Sequence, residues 1–195
     1  MTFAESPEGV IHRFASLLDT AGVPYMLTGS FASGFHGAPR ATQDIDIVIS
    51  PTLGSLNRFL RLLPEDKYYV SRDAALDAYS RELLFNVVDF ASGWKIDLIC
   101  RKARAFSVAE FDRRSRHELA GLEIFLASAE DVVLAKLEWA KLAQSSRQIE
   151  DAAGIVRIQG DQLDTSYIDR WVEQLDLRDE WLEAKTLAGQ LSVVE

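Results

Sequence analysis

The sequence has 195 residues, of which 48% are hydrophobic and 26% are charged, and its formal net charge is -9. This length and apolar content suit one globular domain, or a compact domain with a smaller packed extension, and exclude a disordered chain. A single cysteine, Cys100, excludes an intramolecular disulfide framework, and no apolar run approaches the roughly 20 residues of a membrane-spanning helix. The N-terminus has no charged region followed by an apolar one, so we expect no secretory signal and a cytoplasmic location.

A basic stretch, residues 101–117, interrupts the acidic sequence. Residues 101–127 carry six basic and four acidic side chains, whereas residues 1–100 carry eight and twelve, and residues 128–195 carry seven and fourteen. The acidic average argues against general electrostatic coating of nucleic acid. The sequence leaves two interpretations of the stretch open: an ordinary solvated loop and helix face, or a local docking site for a polyanion such as RNA.

Hydrophobic spacing and turn residues predict alternating helices and strands up to residue 127. Ser6 as N-cap, Pro7 at the first helical position and Gly22 at the end delimit a first helix. Residues 44–49 alternate strictly, so one face of this strand is apolar. The remaining predictions, in chain order, are a strand at 25–28, a helix opened by Pro51, a weak strand at 68–70, a short helix after Ser71, a hairpin of 85–90 with 94–100, a helix at 107–116 and a strand at 122–126.

The pattern changes at Ser128, which forms a capping box with Asp131 ahead of an amphipathic helix. Everything beyond is helical in pattern, with turns near residues 144–145 and 160–161. We therefore predict the α+β class: a mixed α/β unit over residues 1–127, with a mixed sheet and flanking helices, followed by a helical part over residues 128–195.

Three aspartates lie in apolar strands, where an isolated Asp is unfavourable. Asp44 and Asp46 stand two residues apart, so both carboxylates point to one face of their strand, about 7 Å apart. Asp97 lies between Ile96 and Leu98 in a second strand. Such carboxylates repel each other unless a cation neutralises them, and Mg²⁺ prefers their oxygens together with substrate phosphates. Charges that protect a sheet edge from aggregation are the alternative explanation for any single one.

Gly29 and Ser30 follow a strand and open a predicted helix. Free backbone N–H groups and the positive end of a helix dipole make such a junction a seat for phosphate, although a Gly-Ser pair alone is also an ordinary turn. The pair is more specific in combination with the later Asp-Ile-Asp and the third aspartate. The three histidines and Cys100 show no zinc-type spacing, and the sequence has no Walker-type motif.

Three segments together resemble the nucleotidyltransferase superfamily related to DNA polymerase beta: Leu27-Thr28-Gly29-Ser30, Asp44-Ile45-Asp46-Ile47 and Ile96-Asp97-Leu98. That superfamily combines a hydrophobic strand, Gly-Ser, Asp-x-Asp and a third acid on a neighbouring strand, and the resemblance covers residues 23–100. More narrowly, the run Arg40-Ala41-Thr42-Gln43-Asp44-Ile45-Asp46 is similar to the Arg-x-Thr-x-Asp-Ile-Asp run of bacterial AbiEii-like nucleotidyltransferases. Those proteins include toxins of toxin–antitoxin pairs.

The resemblance implies a role for each matching residue. Asp44, Asp46 and Asp97 would be catalytic and bind metal, Lys136 and Asp151 would complete the catalytic set from the helical part, and Gly29, Ser30, Ser33, Arg40 and Thr42 would bind the nucleotide. Members of the kanamycin-resistance type often read Gly-Ser-x-Ala-Arg-Gly, but Ser33 stands at the fifth position here, so Arg40 is the nearest basic replacement. From the residues alone, Lys136 is equally explained as a solvated helix lysine, and Asp151 as an i, i+4 partner of Arg147.

The resemblance also implies an activity. It is that of a transferase using two Mg²⁺ or Mn²⁺ ions, which moves a nucleoside monophosphate from a triphosphate such as ATP to an acceptor hydroxyl. The acceptor stays open: an RNA end reached through residues 101–117, a protein, or a small molecule such as an aminoglycoside. A toxin would have a cognate antitoxin protein as partner, and we expect no membrane partner. Two other classes stay open: a catalytically inactive regulatory module of the same fold, and a phosphohydrolase or nuclease with the same carboxylate–metal chemistry.

Overall fold

Residues 6–191 are described by a computed structural model of the chain. They form nine α-helices and one seven-stranded mixed sheet, which confirms the predicted mixed α/β class. The strands are β1 (Tyr25–Leu27), β2 (Asp44–Ile49), β3 (Tyr68–Tyr69), β4 (Leu84–Asp89), β5 (Lys95–Cys100), β6 (Ser115–Leu119) and β7 (Leu122–Leu126). Their order across the sheet is β3-β4-β5-β2-β1-β7-β6.

The helices alternate with the strands as far as β7 and then follow one another. They are α1 (Pro7–Ala21), α2 (Gly29–His36), α3 (Leu53–Arg61), α4 (Arg72–Arg81), α5 (Ala105–Asp112), α6 (Ala129–Ala143), α7 (Ser146–Gln159), α8 (Thr165–Leu175) and α9 (Arg178–Leu191). Within residues 6–191, none of these helices combines the length and apolar character that crossing a membrane requires. Residues 1–5 and 192–195, at the outer ends of the two predicted ranges, lie outside the described residues.

The structure divides into two compact units, and the chain passes between them more than once. The sheet unit comprises the chain up to Thr28 together with Thr42–Leu126, and the helical unit comprises Gly29–Ala41 together with the chain from Ala127 onward. The sequence predicts a single boundary after residue 127. In the structure, however, the early helix α2 packs against α6 and α7 in the helical unit.

Strand β2 lies inside the sheet, antiparallel to β1 and parallel to β5. Its three isoleucines, Ile45, Ile47 and Ile49, are at most 1% exposed, whereas Asp44 and Asp46 on the opposite face stay half-buried. Burial of each isoleucine side chain stabilises the fold by about 1.5–3 kcal/mol. A one-residue slip would expose all three, so the alternation determines the face on which the aspartates lie.

Local capping residues delimit helices as predicted. The Ser6 side chain accepts a hydrogen bond from the Gly9 N–H at the start of α1, and Gly22 ends that helix with a left-handed φ of +68°. Ser128 caps α6 by accepting from the Asp131 N–H. Helix α3 is capped by Thr52 and begins at Leu53, two residues after the predicted opening at Pro51.

The predicted helix at 107–116 is wrong in its second half. Helix α5 ends at Asp112, and β6 follows as an edge strand paired antiparallel with β7. In this extended segment Arg114 and Arg116 lie on one side, each with its guanidinium 5.1 Å from the centre of the Phe125 ring. Pairing with β7 and stacking on Phe125 are tertiary contacts, so they outweigh a helical pattern that is only local.

The turn between β6 and β7 is strained at one residue. Ala120 has a φ of +48° and Gly121 a φ of +85°, the pattern of a two-residue hairpin turn that favours Asn-Gly. A residue with a Cβ loses about 1 kcal/mol in this conformation, and Asn loses less. Ala120→Asn is therefore expected to raise the free energy of unfolding in urea by about 1 kcal/mol. The exposed turn residue Ala91, which has no positive φ, supplies the control Ala91→Asn, and an equal gain there would contradict the explanation.

Candidate functional site

Three of the predicted site residues, Asp44, Asp46 and Asp97, lie on the polar face of the sheet unit. The parallel register of β2 and β5 sets Asp46 opposite Asp97 and Asp44 opposite Lys95. On its other side β5 pairs with β4, which sets Asn86 opposite Asp97. Residues in register point to the same face of a sheet. We call these five side chains the carboxylate cluster.

Asp44 and Asp97 share one counter-charge. Lys95 Nζ lies 3.1 Å from Asp44 Oδ1 and 3.2 Å from Asp97 Oδ2. Burial lowers the pKa of Lys95, but hydrogen bonds to the two carboxylates outweigh burial and hold that pKa above its ordinary value. From the other side, Asn86 Nδ2 donates a hydrogen bond to Asp97 Oδ1. Asp97 is thus oriented from two directions.

The donor set of the carboxylate cluster fits a divalent cation. Two carboxylate oxygens already converge on one positive charge, Lys95 Nζ, and Asp46 is the register neighbour of Asp97. Mg²⁺ needs only one or two protein carboxylates when substrate phosphates supply further oxygens. Within residues 6–191 no three His, Cys, Asp or Glu side chains come close enough to hold a metal by themselves. The set therefore suits a cation that arrives with a phosphate ligand.

Lys136 and Asp151 form a buried ion pair in the helical unit. Lys136 Nζ lies 2.7 Å from Asp151 Oδ2, and the two side chains are only 6% and 7% exposed. Arg40 binds the same carboxylate in a bidentate manner, with Nε 2.9 Å from Oδ1 and Nη2 3.0 Å from Oδ2. Arg40 Nη2 also donates to Ser30 Oγ at 2.7 Å. We call these four residues the cationic cluster.

The cationic cluster carries two positive charges and one negative charge. Burial raises the pKa of Asp151, but hydrogen bonds from Arg40 and Lys136 outweigh burial and hold that pKa below its ordinary value of 3.8. The carboxylate therefore stays ionised and leaves an excess positive charge beside Ser30 at the N-terminus of α2. Helix N-termini also favour anions, so this cluster is suited to bind phosphate oxygens.

Two glycines explain how the chain reaches this arrangement. Gly29 has a φ of +63°, which lets the backbone turn directly from β1 into α2. Gly37 approaches α7 so closely that a Cβ atom would lie 2.9 Å from the Ile155 nitrogen. This approach holds the segment from Gly37 to Arg40 against α7, the helix that carries Asp151. No local pattern in the sequence indicates the contact between Gly37 and α7.

Ser33 and Thr42 are the other two residues that we predict to contact the nucleotide. Ser33 is 3% exposed on the buried side of α2. Thr42 Oγ1 donates to the Asp44 carbonyl oxygen at 3.3 Å and accepts from the Asp44 N–H at 3.4 Å. Thr42 thus shapes the start of β2, and the nucleotide contacts of both residues stay predictions.

Lys95 and Asn86 are polar contacts of the site that sequence reasoning missed. Lys95 stands two residues before Asp97, so the two-residue period of a strand was a usable signal. Asn86 lies in the alternating pattern of β4, which predicts the face on which it stands. Its partner Asp97 depends on the register between β4 and β5, which a local pattern does not give. Helix spacing alone also allows Asp151 to pair with Arg147. In the structure Asp151 binds Arg40 and Lys136 inside the helical unit.

Arg101, Arg104, Arg114 and Arg116, four of the six arginines and lysines in the stretch 101–117, lie over aromatic rings. Arg114 lies 4.1 Å from the centre of the Phe111 ring as well as over Phe125, and burial lowers its pKa. Arg116 also pairs with Glu123 at 3.3 Å. Arg101 lies over Phe111 and donates to Ser50 Oγ. Lys102, Arg104, Arg113 and Arg116 are exposed, and Arg104 also donates to Ser107 Oγ.

No family model matches the sequence, and no curated protein matches it. Solved structures do match. The solution structure of the antibiotic-resistance factor ANT(2'')-Ia aligns with a TM-score of 0.55 and 15% identity over 98% of this chain and 94% of that chain. The crystal structure of ANT(2'')-Ia with adenylyl-2''-tobramycin gives 0.55 and 17% over 89% of this chain and 98% of that chain.

A third structure, an antigenic nucleotidyltransferase-like protein from Paracoccidioides brasiliensis, aligns with a TM-score of 0.54 and 15% identity over 89% of this chain and 90% of that chain. At these identities the likeness concerns the fold and carries no residue roles. This fold is the one that the resemblance of the Gly-Ser and Asp-Ile-Asp segments implies, while the likeness to AbiEii-like proteins stays a prediction. The chain has the nucleotidyltransferase fold.

Proposed function

We propose that this protein is a metal-dependent nucleotidyltransferase, which transfers a nucleoside monophosphate from a nucleoside triphosphate to an acceptor hydroxyl. The observation that carries the proposal is that Asp44, Asp46 and Asp97 lie on one sheet face in a chain of this fold. In the proposed reaction the acceptor oxygen forms a bond to the α-phosphorus. The bond from that phosphorus to the β-phosphate oxygen breaks, and pyrophosphate leaves with the electron pair.

In this proposal the carboxylate cluster holds the cation and receives the proton. Asp44, Asp46 and Asp97 would be the protein ligands of one or two Mg²⁺ or Mn²⁺ ions, which supply charge neutralisation on the triphosphate and a lower pKa at the acceptor hydroxyl. Asp97 would accept the hydroxyl proton as the oxygen attacks. Its orientation by Asn86 supports that role, because an aligned base needs no reorganisation during the reaction.

The cationic cluster would bind the phosphates that leave. Gly29 and Ser30 offer backbone N–H groups at the start of α2, and Arg40 and Lys136 supply positive charge for the β- and γ-phosphates. Asp151 would position both cations rather than touch the nucleotide, since it already binds Arg40 and Lys136. Preorganised cations of this kind stabilise the charge that develops on a leaving group.

The decisive experiment follows the label from each nucleoside triphosphate. The purified protein is incubated with α-labelled triphosphate, Mg²⁺ and either total RNA or an aminoglycoside. Tobramycin is the first aminoglycoside to test, because one of the similar structures is ANT(2'')-Ia in complex with adenylyl-2''-tobramycin. Label on the acceptor, and none when the γ-phosphate is labelled instead, supports nucleotidyl transfer. Release of labelled phosphate without transfer would point to a phosphohydrolase. Absence of both transfer and Mg²⁺-dependent nucleotide binding would favour the inactive regulatory module.

An RNA acceptor is the choice that the stretch 101–117 supports. Its residues Lys102 and Arg113 are exposed to solvent, whereas Arg114 is half-buried and stacks on Phe111. We expect the double variant Lys102→Glu, Arg113→Glu to lose RNA labelling and to lower the salt dependence of RNA binding by about two counter-ions, with triphosphate binding retained. The matched control Lys67→Glu, Arg72→Glu changes two exposed residues elsewhere in the sheet unit. Unchanged RNA labelling in the first variant would exclude this docking surface.

A toxin role with a cognate antitoxin is the finer part of the proposal. Its support is the similarity of the run from Arg40 to Asp46 to AbiEii-like proteins. Induced expression in a bacterial host should arrest growth, and the variant Asp46→Asn should not. Normal growth with a protein that is active in the label-transfer assay would contradict the toxin role and leave the nucleotidyltransferase activity standing.

A further inference from the structure

A lysine occupies the position at which the carboxylate cluster would hold a metal. We propose that Lys95 is an internal counter-cation, which a divalent cation must displace before Asp44 and Asp97 can bind that cation. This inference rests on the proposed function, because the proposed function assigns the carboxylates to metal. It goes beyond that function by giving a residue outside the Asp set control over the metal affinity.

The geometry supports competition rather than cooperation. Lys95 Nζ contacts Asp44 Oδ1 at 3.1 Å and Asp97 Oδ2 at 3.2 Å, so it uses one oxygen of each carboxylate. A hard cation seeks the same oxygens at shorter distances, about 2.0–2.1 Å for Mg²⁺. An ammonium group and a divalent cation repel each other, so both cannot lie between the same two carboxylates.

Lys95 is free to leave without loss of core packing. Its side chain is 41% exposed, and Asp44 is 46% exposed. The residues that pack the other face of β5 are Ile96, Leu98 and Cys100, all buried. A change of rotamer would therefore carry the ammonium group into solvent, where it recovers its hydration.

The Asp97 carboxylate and the backbone at Asp44 keep their other contacts when Lys95 moves. Asp97 is 14% exposed and retains the hydrogen bond from Asn86. Asp44 retains the backbone contacts that Thr42 makes at the start of β2. The motion of one side chain thus converts the carboxylate cluster from a state neutralised by Lys95 to a state that can bind metal. Because the metal must break the two ion pairs of Lys95, its binding free energy is less favourable by the energy of those pairs.

Mn²⁺ binding to the full chain, measured without nucleotide, tests this role. Free Mn²⁺ is followed by its electron paramagnetic resonance signal for the wild type, Lys95→Met, Lys95→Arg and the control Lys67→Met, which removes the same charge from an exposed lysine. We expect Lys95→Met to lower the Kd for Mn²⁺ about threefold to tenfold, the equivalent of two partly exposed ion pairs. Lys95→Arg, which keeps the positive charge, and Lys67→Met should bind like the wild type.

Thermal unfolding gives a second readout that does not depend on catalysis. In EDTA the Tm of Lys95→Met should fall below that of the wild type, because the carboxylates lose their shared counter-charge, and Mn²⁺ should raise it by more than it raises the wild-type Tm. An equal or higher Kd for Lys95→Met, with binding that Asp44→Ala abolishes, would overturn the role of Lys95 alone. If Mn²⁺ binds only when a non-hydrolysable nucleoside triphosphate is added, the same comparison of variants is made with that triphosphate present. Failure of every protein to bind Mn²⁺ both without and with the triphosphate would overturn the metal site and the proposed function with it.

Discussion

Asp46→Asn is expected to reduce nucleotidyl transfer by about 10³-fold or more. A metal ligand in this chemistry contributes several kcal/mol of transition-state stabilisation, and each 1.36 kcal/mol corresponds to about tenfold in rate. Asn retains one oxygen and nearly the same shape but removes the negative charge. Asp44→Asn should behave similarly, because Asp44 lies on the same face of β2. The measurement is the initial rate of label transfer under saturating triphosphate and Mg²⁺.

The stability of the Asp46→Asn protein distinguishes a site residue from a structural one. Asp46 lies on the polar face of the sheet, whose opposite face carries the buried isoleucines. The free energy of unfolding should therefore change by less than about 1 kcal/mol. Asp73→Asn, which changes an exposed acid on α4, is the control for the loss of one negative charge and should retain full activity. Retained transfer in both Asp44→Asn and Asp46→Asn would refute the proposed metal ligands.

Asp151→Asn is expected to lower the free energy of unfolding by about 3 kcal/mol or more. The substitution removes the negative partner of two cations, Lys136 and Arg40, of which Lys136 is almost fully buried. Removal of one partner from a buried ion pair typically costs about 3–5 kcal/mol, because the other charge stays desolvated without compensation. Urea denaturation at pH 7 measures the loss. Nucleotide transfer should fall as well, since Arg40 and Lys136 would no longer be positioned.

Lys136→Met supplies the matched comparison. Asp151 then keeps its bidentate contact with Arg40, and methionine fills the space of the lysine stem, so the loss of stability should be smaller than for Asp151→Asn. Lys136→Met should weaken triphosphate binding by more free energy than it takes from the stability of the fold. Equal losses of stability in the two variants would show that Arg40 does not compensate Asp151.

The cost of Asp151→Asn should depend on pH in a defined direction. The folded protein holds the pKa of Asp151 below its ordinary value of 3.8, so the unfolded chain binds the proton first as the pH falls. The stabilising contribution of the carboxylate is complete above the unfolded pKa and is lost as the pH falls through the folded pKa. The difference in unfolding free energy between wild type and Asp151→Asn should therefore stay constant near neutrality and shrink below pH 3.8. A difference that grows with acid would contradict the assigned pKa shift.

Features that depend on short segments were predictable from the sequence. The alternation over Asp44–Ile49 is a property of six neighbouring residues, and it determines which face the two aspartates share. The caps at Ser6 and Ser128 need only the next three residues. The Gly-Ser junction is local too, because the positive φ of Gly29 follows from a tight turn between a strand and a helix. The mixed α/β class followed from these elements.

Features that join distant segments needed the tertiary structure. The bridge from Lys95 to Asp44 depends on the register between β2 and β5, and a strand pattern gives the face of a residue but not its partner. The contact of Arg40 with Asp151 spans 111 residues and depends on the approach of Gly37 to α7. Strand β6 is stabilised by its pairing with β7, and the local pattern of residues 107–116 predicted a helix there instead.

The charge of -9 illustrates the same division. Its sign and its distribution along the chain are properties of composition. Whether a given carboxylate lies beside a lysine, an arginine or another carboxylate depends on strand register and helix packing, because electrostatic energies depend on distances between atoms that the chain brings together only when it folds. The carboxylates that carry the proposed chemistry could therefore be named from the sequence, while the partner that each of them contacts could be named only from the structure.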